Sequence, residues 1–269
     1  METLDDIIIA DSLDGTAQMQ QRGYITHALC QRGGCTFALG GAKHRLAAGD
    51  CLIIPQQSLL MSMLEKSADF EVEVIYVSSS FTAVSTPQSN YGMRGHLSLF
   101  ENPVMHLKEE QQRVCALNFD YIRRRLALPC HHFHRDAMIN AVQCMIIDFF
   151  DFHVALYGER PVSNQQAMLM QRFLSMLDRG DFRKHREVGH YATELCVTPK
   201  YLSEVCRAVS GQSAIYWITR YTALDISRLL RRRDMSNEEI SDLFGFSSPS
   251  YFIRYVQKNL GMPPSEFRE

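Results

Sequence analysis

The sequence predicts a two-domain α+β protein: an N-terminal antiparallel β-barrel followed by helices, then an all-α domain with two helix-turn-helix motifs joined by a linker helix. Three observations predict it. Short β-type runs separated by glycines fill residues 23–80, and helical spacing takes over from Leu107. From Arg186 onward a block recurs: Thr198-Pro199-Lys200-Tyr201-Leu202-Ser203 is answered by Ser248-Pro249-Ser250-Tyr251-Phe252-Ile253. Pro199 and Pro249, Tyr201 and Tyr251, and Gly211 and Gly261 are each fifty positions apart. Self-similarity at a fixed offset marks one supersecondary unit used twice.

The totals agree with that division. The chain has 269 residues, 46% of them hydrophobic and 22% charged. This is ordinary globular composition with length for two domains. Residues 1–157 form the first domain, 158–164 a linker punctuated by Gly158 and Pro161, and 165–269 the second. Charge changes sign across the linker. Up to Asn164 there are 13 Lys+Arg against 18 Asp+Glu; from Gln165 there are 15 against 12. The mildly basic second half points towards a nucleic-acid partner.

No apolar run approaches the roughly 18 residues of a membrane span, and the N-terminus is acidic where a secretory signal is basic. The expectation is a cytoplasmic protein, nucleoid-associated when bound to DNA, with no membrane partner. Eight cysteines contain no C-x-x-C pair and sit mostly in apolar patterns, as reduced, buried thiols do.

In the first domain, Tyr24 to Cys30, Cys35 to Leu39, Cys51 to Pro55 and Phe70 to Val77 read as strands, at a spacing that indicates an antiparallel sandwich or barrel. Gly33-Gly34, Gly40-Gly41 and Gly49-Asp50 read as the turns between them. The segment Gly49-Asp50-Cys51-Leu52-Ile53-Ile54-Pro55 resembles the strand that closes one side of a cupin barrel. Metal-binding cupins carry histidines on neighbouring strands. Here Gln56, Gln57, Ser58 and Leu59 follow the strand, and His27 and His44 are isolated, so no metal and no cofactor are expected. A small barrel can still hold one ligand in its mouth. Tyr24 and Thr26 share a face by alternation, and with Phe37 they are the candidate effector-binding residues; filling the core is the competing use of each.

Leu107 to Leu128 and Asp136 to Tyr157 follow as helices. In the second, Met138, Val142, Met145, Phe149, Phe152 and Leu156 form one stripe, with Ile139, Ile146, Phe150 and Tyr157 beside it. So wide an apolar arc requires two partners. One reading puts the barrel on one stripe and the same helix of a second subunit on the other, giving a homodimer; the other buries the helix within one domain. Cys130-His131-His132-Phe133-His134 lacks the spacing of a zinc site and reads as a helix-start loop. Arg123-Arg124-Arg125 reads as a solvated helix face.

The second domain opens with Gln165 to Asp178, whose apolar positions include Met168, Phe173 and Leu177. Val188 to Leu195 is a short helix, Cys196-Val197 the turn, Thr198 an N-cap and Pro199 the first helical residue. The helix that follows buries Leu202, Val205, Cys206 and Val209. The second copy places Ile240, Leu243 and Phe244 on its first helix, Gly245-Phe246 in the turn, and Ser247 or Ser248 at the cap. Phe252, Tyr255, Val256 and Leu260 then form the buried stripe. Between the copies, Ser213 to Arg232 is a continuous helix with Ile215, Ile218, Tyr221, Ala223, Ile226, Leu229 and Leu230 available for packing. Arg231-Arg232-Arg233 suits a phosphate contact or the negative end of that helix equally well.

These residues carry a resemblance. Tyr191-Ala192-x-x-Leu195, Thr198-Pro199-x-Tyr201-Leu202-Ser203, Gly211, Leu229-Leu230, Gly245-Phe246, Tyr251-Phe252 and Gly261-Met262-Pro263-Pro264-Ser265-Glu266-Phe267-Arg268 resemble the AraC/XylS family of bacterial transcription regulators. The match covers about a third of the chain; the N-terminal half is more loosely similar to the family's effector and dimerisation domain. The resemblance implies base contacts from Lys200, Ser203, Glu204 and Arg207 in the first recognition helix. In the second it implies Ser250, Tyr251 and Arg254, and Lys258 adds outward positive charge. Arginine can read guanine and glutamate can accept from cytosine N4. Two departures stand out: Val256-Gln257 replaces the usual Phe-Lys, and Asp225 replaces a usual alanine.

The function these readings imply is a sequence-specific DNA-binding transcription regulator, an activator that responds to a small-molecule effector or to its assembly state. Its expected partners are double-stranded promoter DNA, RNA polymerase, an effector, and a second subunit through the Asp136–Tyr157 helix. The alternatives are a cupin-like small-molecule enzyme fused to a helical module, and a protein-docking module. The sequence carries no metal triad, nucleophile–base spacing or phosphate loop for the first of these, so the protein is not expected to be an enzyme.

Overall fold

A computed structural model describes residues 6–39, 42–55, 60–87, 99, 102–128, 131–158, 163–232 and 234–266. The Gly40-Gly41 turn, the residues after Pro55, Cys130, most of the linker, Arg233 and Phe267-Arg268 lie outside the described residues. The chain forms two compact units, Met1–Pro161 and Val162–Glu269.

In the first unit, strands β1 (Ile7–Ala10), β2 (Tyr24–Arg32), β5 (Asp50–Ile54), β7 (Glu71–Ser78) and β8 (Val104–His106) form one antiparallel sheet in the order β1-β7-β2-β5-β8. Strands β3 (Gly34–Leu39), β4 (Ala42–Ala47) and β6 (Met61–Lys66) form a second, ordered β4-β3-β6. Short helices α1 (Thr16–Gln21) and α2 (Ser79–Ser85) precede β2 and follow β7.

Two-residue alternation assigns each side chain of the larger sheet to one of two cores. Tyr24, Ala28, Cys30, Leu52, Ile54, Val74 and Tyr76 meet Cys35, Phe37, Leu39 and Leu46 of the smaller sheet. Ile25, Leu29, Cys51, Ile53, Ile75 and Val77 meet the helices α3 (Glu109–Leu126) and α4 (His134–Tyr157). The result is a β-sandwich with a helical layer on its larger sheet.

The expected closed barrel is therefore corrected: among the described residues the strands pair in two separate ladders. The switch between them lies at Gly49-Asp50. Gly49 takes φ +86°, and its N–H bonds to Cys30 O at 2.8 Å, while Asp50 Oδ2 accepts from Ala47 N at 2.8 Å. This corner passes the chain from β4 in one sheet to β5 in the other. Strands β1, β4, β6 and β8 carry weak patterns, being short or charged at their edges, and only the structure identifies them.

Helix α4 packs most of both apolar stripes against its own domain. Met138, Val142, Met145, Ile146, Phe149 and Phe152 belong to the sheet–helix core, with Ile139, Phe150 and Leu156 packed against it. By length and hydropathy it could cross a membrane; its apolar arc faces β-sheet instead. Exposed on α4 are Ile147 and Tyr157, 48% and 40% accessible, and on α3 Leu117 and Tyr121, at 68% and 44%.

The second unit contains α5 (Asn164–Asp178), a 3-10 turn (Asp181–Arg183), α6 (Val188–Glu194), α7 (Pro199–Ser210), α8 (Ala214–Arg232), α9 (Asn237–Leu243) and α10 (Pro249–Leu260). Phe173 of α5 meets Tyr191 of α6 edge-on at 5.3 Å, and buried Trp217 of α8 donates to Ser210 Oγ of α7 at 2.8 Å. Three expected core residues are exposed instead: Met168, Ile215 and Leu243. On α5, Ala167, Leu169, Met170, Met176 and Leu177 supply the buried face, so the true stripe is rotated from the Met168 register.

Candidate nucleic-acid interface

Two helix pairs, α6–α7 and α9–α10, are built by the same local chemistry. Thr198 Oγ1 accepts from Tyr201 N at 3.1 Å, and Ser248 Oγ accepts from Tyr251 N at 3.2 Å. Pro199 and Pro249 hold the first turns, where a missing N–H costs nothing. Gly211 and Gly261, both at φ +80°, close the second helices in the left-handed conformation that glycine adopts without a Cβ clash.

The turns also match. Val197 N bonds to Ala192 O and Cys196 N to Thr193 O; in the second pair Phe246 N bonds to Ser241 O and Gly245 N to Asp242 O. Both are the paired 6→1 and 5→2 bonds of a Schellman ending. The left-handed residue is Gly245, φ +60°, in one and Cys196, φ +57°, in the other. The first helices start forty-nine residues apart and the second helices fifty, so the second turn is one residue longer.

On α7, Leu202, Val205, Cys206 and Val209 face inward, while Lys200, Glu204 and Arg207 are exposed and Ser203 is half-buried. On α10, Phe252, Val256 and Leu260 face inward, while Ser250, Tyr251, Arg254 and Lys258 are exposed. Each sequence-predicted set thus lies along one outward strip of its own helix. Lys200 lies 4.0 Å from Glu204, a solvated pair of small worth. Arg207, Arg254 and Lys258 make no ion pair among the described residues, which leaves their charge for an external anion.

The segment between α5 and α6 went unread in the sequence. Arg183 Nε donates to Asp225 Oδ2 of α8 at 2.7 Å, and this pair accounts for the acidic residue at position 225. Phe182 packs on Phe244 and on Tyr221, whose hydroxyl donates to Asp178 Oδ1 at 3.0 Å. Arg186 donates to Phe244 O and, at 3.5 Å, to Gly245 O, while its guanidinium lies 4.4 Å above the Phe246 ring. An apolar residue among charges at 182 was the one sequence signal for this contact.

In the first unit, Tyr24, Thr26 and Phe37 are all buried: Tyr24 and Phe37 pack in the inter-sheet core, and Thr26 Oγ1 has no partner among the described residues. None of the three lines the cavity of about 650 Å³ in this unit. That cavity sits between the sheet edges β4 and β8, against Lys43, His44, Arg45, Asp50, His106 and Tyr157. Asp50 accepts from His106 Nδ1 at 2.8 Å. Among the described residues no cluster of three metal-ligating side chains occurs.

Residues 191–269 match the family described as a helix-turn-helix domain. An HTH-type transcriptional regulator of Bacillus subtilis, YobQ, is 26% identical over 110 residues, which is 41% of this chain and 43% of that protein. The match spans less than half of the relative's length. Among solved structures, ToxT of Vibrio cholerae strain SCE256 with an unsaturated fatty acid bound aligns at TM-score 0.50 and 12% identity, over 91% of this chain and 86% of that one. ToxT of Vibrio cholerae O395 aligns at 0.48 and 12%, over 90% and 87%. At such identity the former likeness is one of fold.

Proposed function

We propose that the chain is, through its C-terminal domain, a member of the AraC/XylS family of transcription regulators, a reading supported by the helix-turn-helix match over residues 191–269, and that it binds promoter DNA sequence-specifically and activates transcription there. The observation that carries this reading is the duplicated helix pair, each copy capped by a hydroxyl side chain ahead of a first-turn proline and each turning cationic side chains outward. Each pair is then a helix-turn-helix, with α7 and α10 entering successive major grooves. Helix α8 has 19 residues, or ~28 Å at about 1.5 Å per residue. That approaches the ~34 Å between major grooves on one face of DNA.

In this reading Arg207 and Arg254 contact guanine, Glu204 contacts cytosine, and Lys200 and Lys258 serve phosphate. The N-terminal unit is the effector and dimerisation domain, a cupin-like fold opened into a sandwich. Its cavity, with Lys43 and Arg45 on the wall, takes an organic acid, a class that includes the fatty acid held by the V. cholerae structure. RNA polymerase is the further partner of an activator, and the cytoplasm its compartment.

Selection of bound sequences from a random duplex pool, with and without cell extract as a source of effector, tests the reading. A bipartite motif with salt-sensitive affinity is expected. Recovery of no motif under either condition would sink it.

A further inference from the structure

We propose that Arg186 is a positioning residue that locks the second helix-turn-helix to the first and so sets the one spacing at which both recognition helices can engage DNA; the proposal rests on the DNA-binding reading above. The two helix pairs are joined in sequence only by α8 and the short segment after it. A helix transmits distance well, but its ends are where rotation enters, because the last turn lacks intrahelical partners. Spacing therefore depends on side-chain ties between the copies.

Arg186 stands just before α6, at the entrance to the first helix pair, and supplies such a tie in three ways. Its guanidinium donates to the carbonyls of Phe244 and Gly245, at the C-terminus of α9. That helix has no basic residue in its own last turn, so Arg186 supplies the positive charge the helix end favours. The same group covers the face of Phe246 at 4.4 Å, a cation–π contact worth more when partly desolvated.

Phe246 is in turn central to the second helix pair, with its ring 5.7, 5.3 and 5.1 Å from those of Tyr251, Phe252 and Tyr255 on α10. One side chain at the start of the first helix pair thus orients the turn from which the second recognition helix departs. Phe182 on Phe244 and Arg183 on Asp225 add an apolar pin and an ion pair from the same segment. The guanidinium geometry is required: lysine, a point charge on a flexible stem, cannot bridge two carbonyls while lying flat on a ring.

The test uses the full-length chain with Arg186→Met and Arg186→Lys, read in two ways. Without DNA, hydrogen exchange should quicken about tenfold or more across residues 237–260 in the methionine variant, with α6 and α7 unchanged, and lysine should restore it only in part. In random-pool selection the wild type should enrich two half-motifs at one spacing. The methionine variant should enrich the same halves over several spacings, or the first half alone.

Unchanged exchange overturns the lock, and faster exchange with an unchanged single spacing overturns its role in spacing. If the wild type enriches no motif, the DNA-binding premise falls and the spacing claim with it, while exchange still decides whether the lock exists. Should the methionine variant melt the whole domain, Asp225→Asn removes the ion pair alone and must loosen the same region; if it does not, the segment is no clamp.

Discussion

Cys196 occupies a backbone conformation that the second copy gives to Gly245. A side chain at φ +57° crowds the following carbonyl, at about 1 kcal/mol, and the thiol itself is exposed. Cys196→Gly should therefore stabilise the C-terminal unit by up to about 0.5 kcal/mol, after allowing for the greater freedom of glycine in the unfolded chain; urea unfolding measures it, and a loss of stability would show the turn to be relaxed as it stands. At the same scale, Arg254 and Lys258 differ in what they should report. Arg254→Ala should cost ~1–3 kcal/mol and relax discrimination at one base position, whereas Lys258→Ala should weaken all sequences alike and lower the salt slope by about one. The cap at Ser248 and the outward positions of α7 and α10 were readable because they follow from local rules. The strain at Cys196 was half-readable, since aligning the copies at forty-nine sets it against a glycine. Arg186 was not readable, because its partners lie 58 and 59 positions away and nothing in its neighbours announces them.

Among the elements, α4 shows how a correct pattern can leave its meaning open. Both stripes read from the sequence are apolar, and periodicity alone could not say whether the second met its own domain or a partner. In the structure Ile139, Ile146 and Phe150 all pack on the sheet–helix core. A dimer, if α4 contributes to one, must use what is left, namely Ile147 and Tyr157 with Leu117 and Tyr121 of α3. Ile147→Glu should shift a wild-type dimer to monomer in sedimentation equilibrium while leaving the fold intact by circular dichroism; a variant that stays dimeric would place the interface elsewhere. The strands divide in a similar way. Those with long apolar runs, β2, β5 and β7, were legible, but β4 with Lys43, His44 and Arg45, and three-residue β8, hold their place only through their neighbours.

For the molecule as a whole, acid should act first on the N-terminal unit, through His27. It lies between the sheet and α4, stacked 5.9 Å from Phe149, and burial depresses its pKa from 6.5 to about 4, against a smaller opposing effect of Ile75 backbone. The folded state thus binds a proton less readily than the unfolded chain. Stability from this group is complete above pH ~6.5 and falls as pH drops towards 4, by a total of roughly 3 kcal/mol. His27→Gln should flatten that acid limb in pH-dependent thermal melts; an unchanged limb would assign it to other groups. The two halves of the chain differ in how much of them is local. Sequence by itself determined the repeated helical unit, because caps, first-turn prolines and left-handed glycines act over a few residues wherever they stand. Tertiary structure alone decided that the strands form two sheets, that α4 packs most of both stripes against its own sheet, and that one arginine bonds from before the first copy to the turn of the second. Those outcomes depend on contacts between residues far apart in the chain, where competing burial partners of equal hydrophobicity exist and only the assembled fold selects among them.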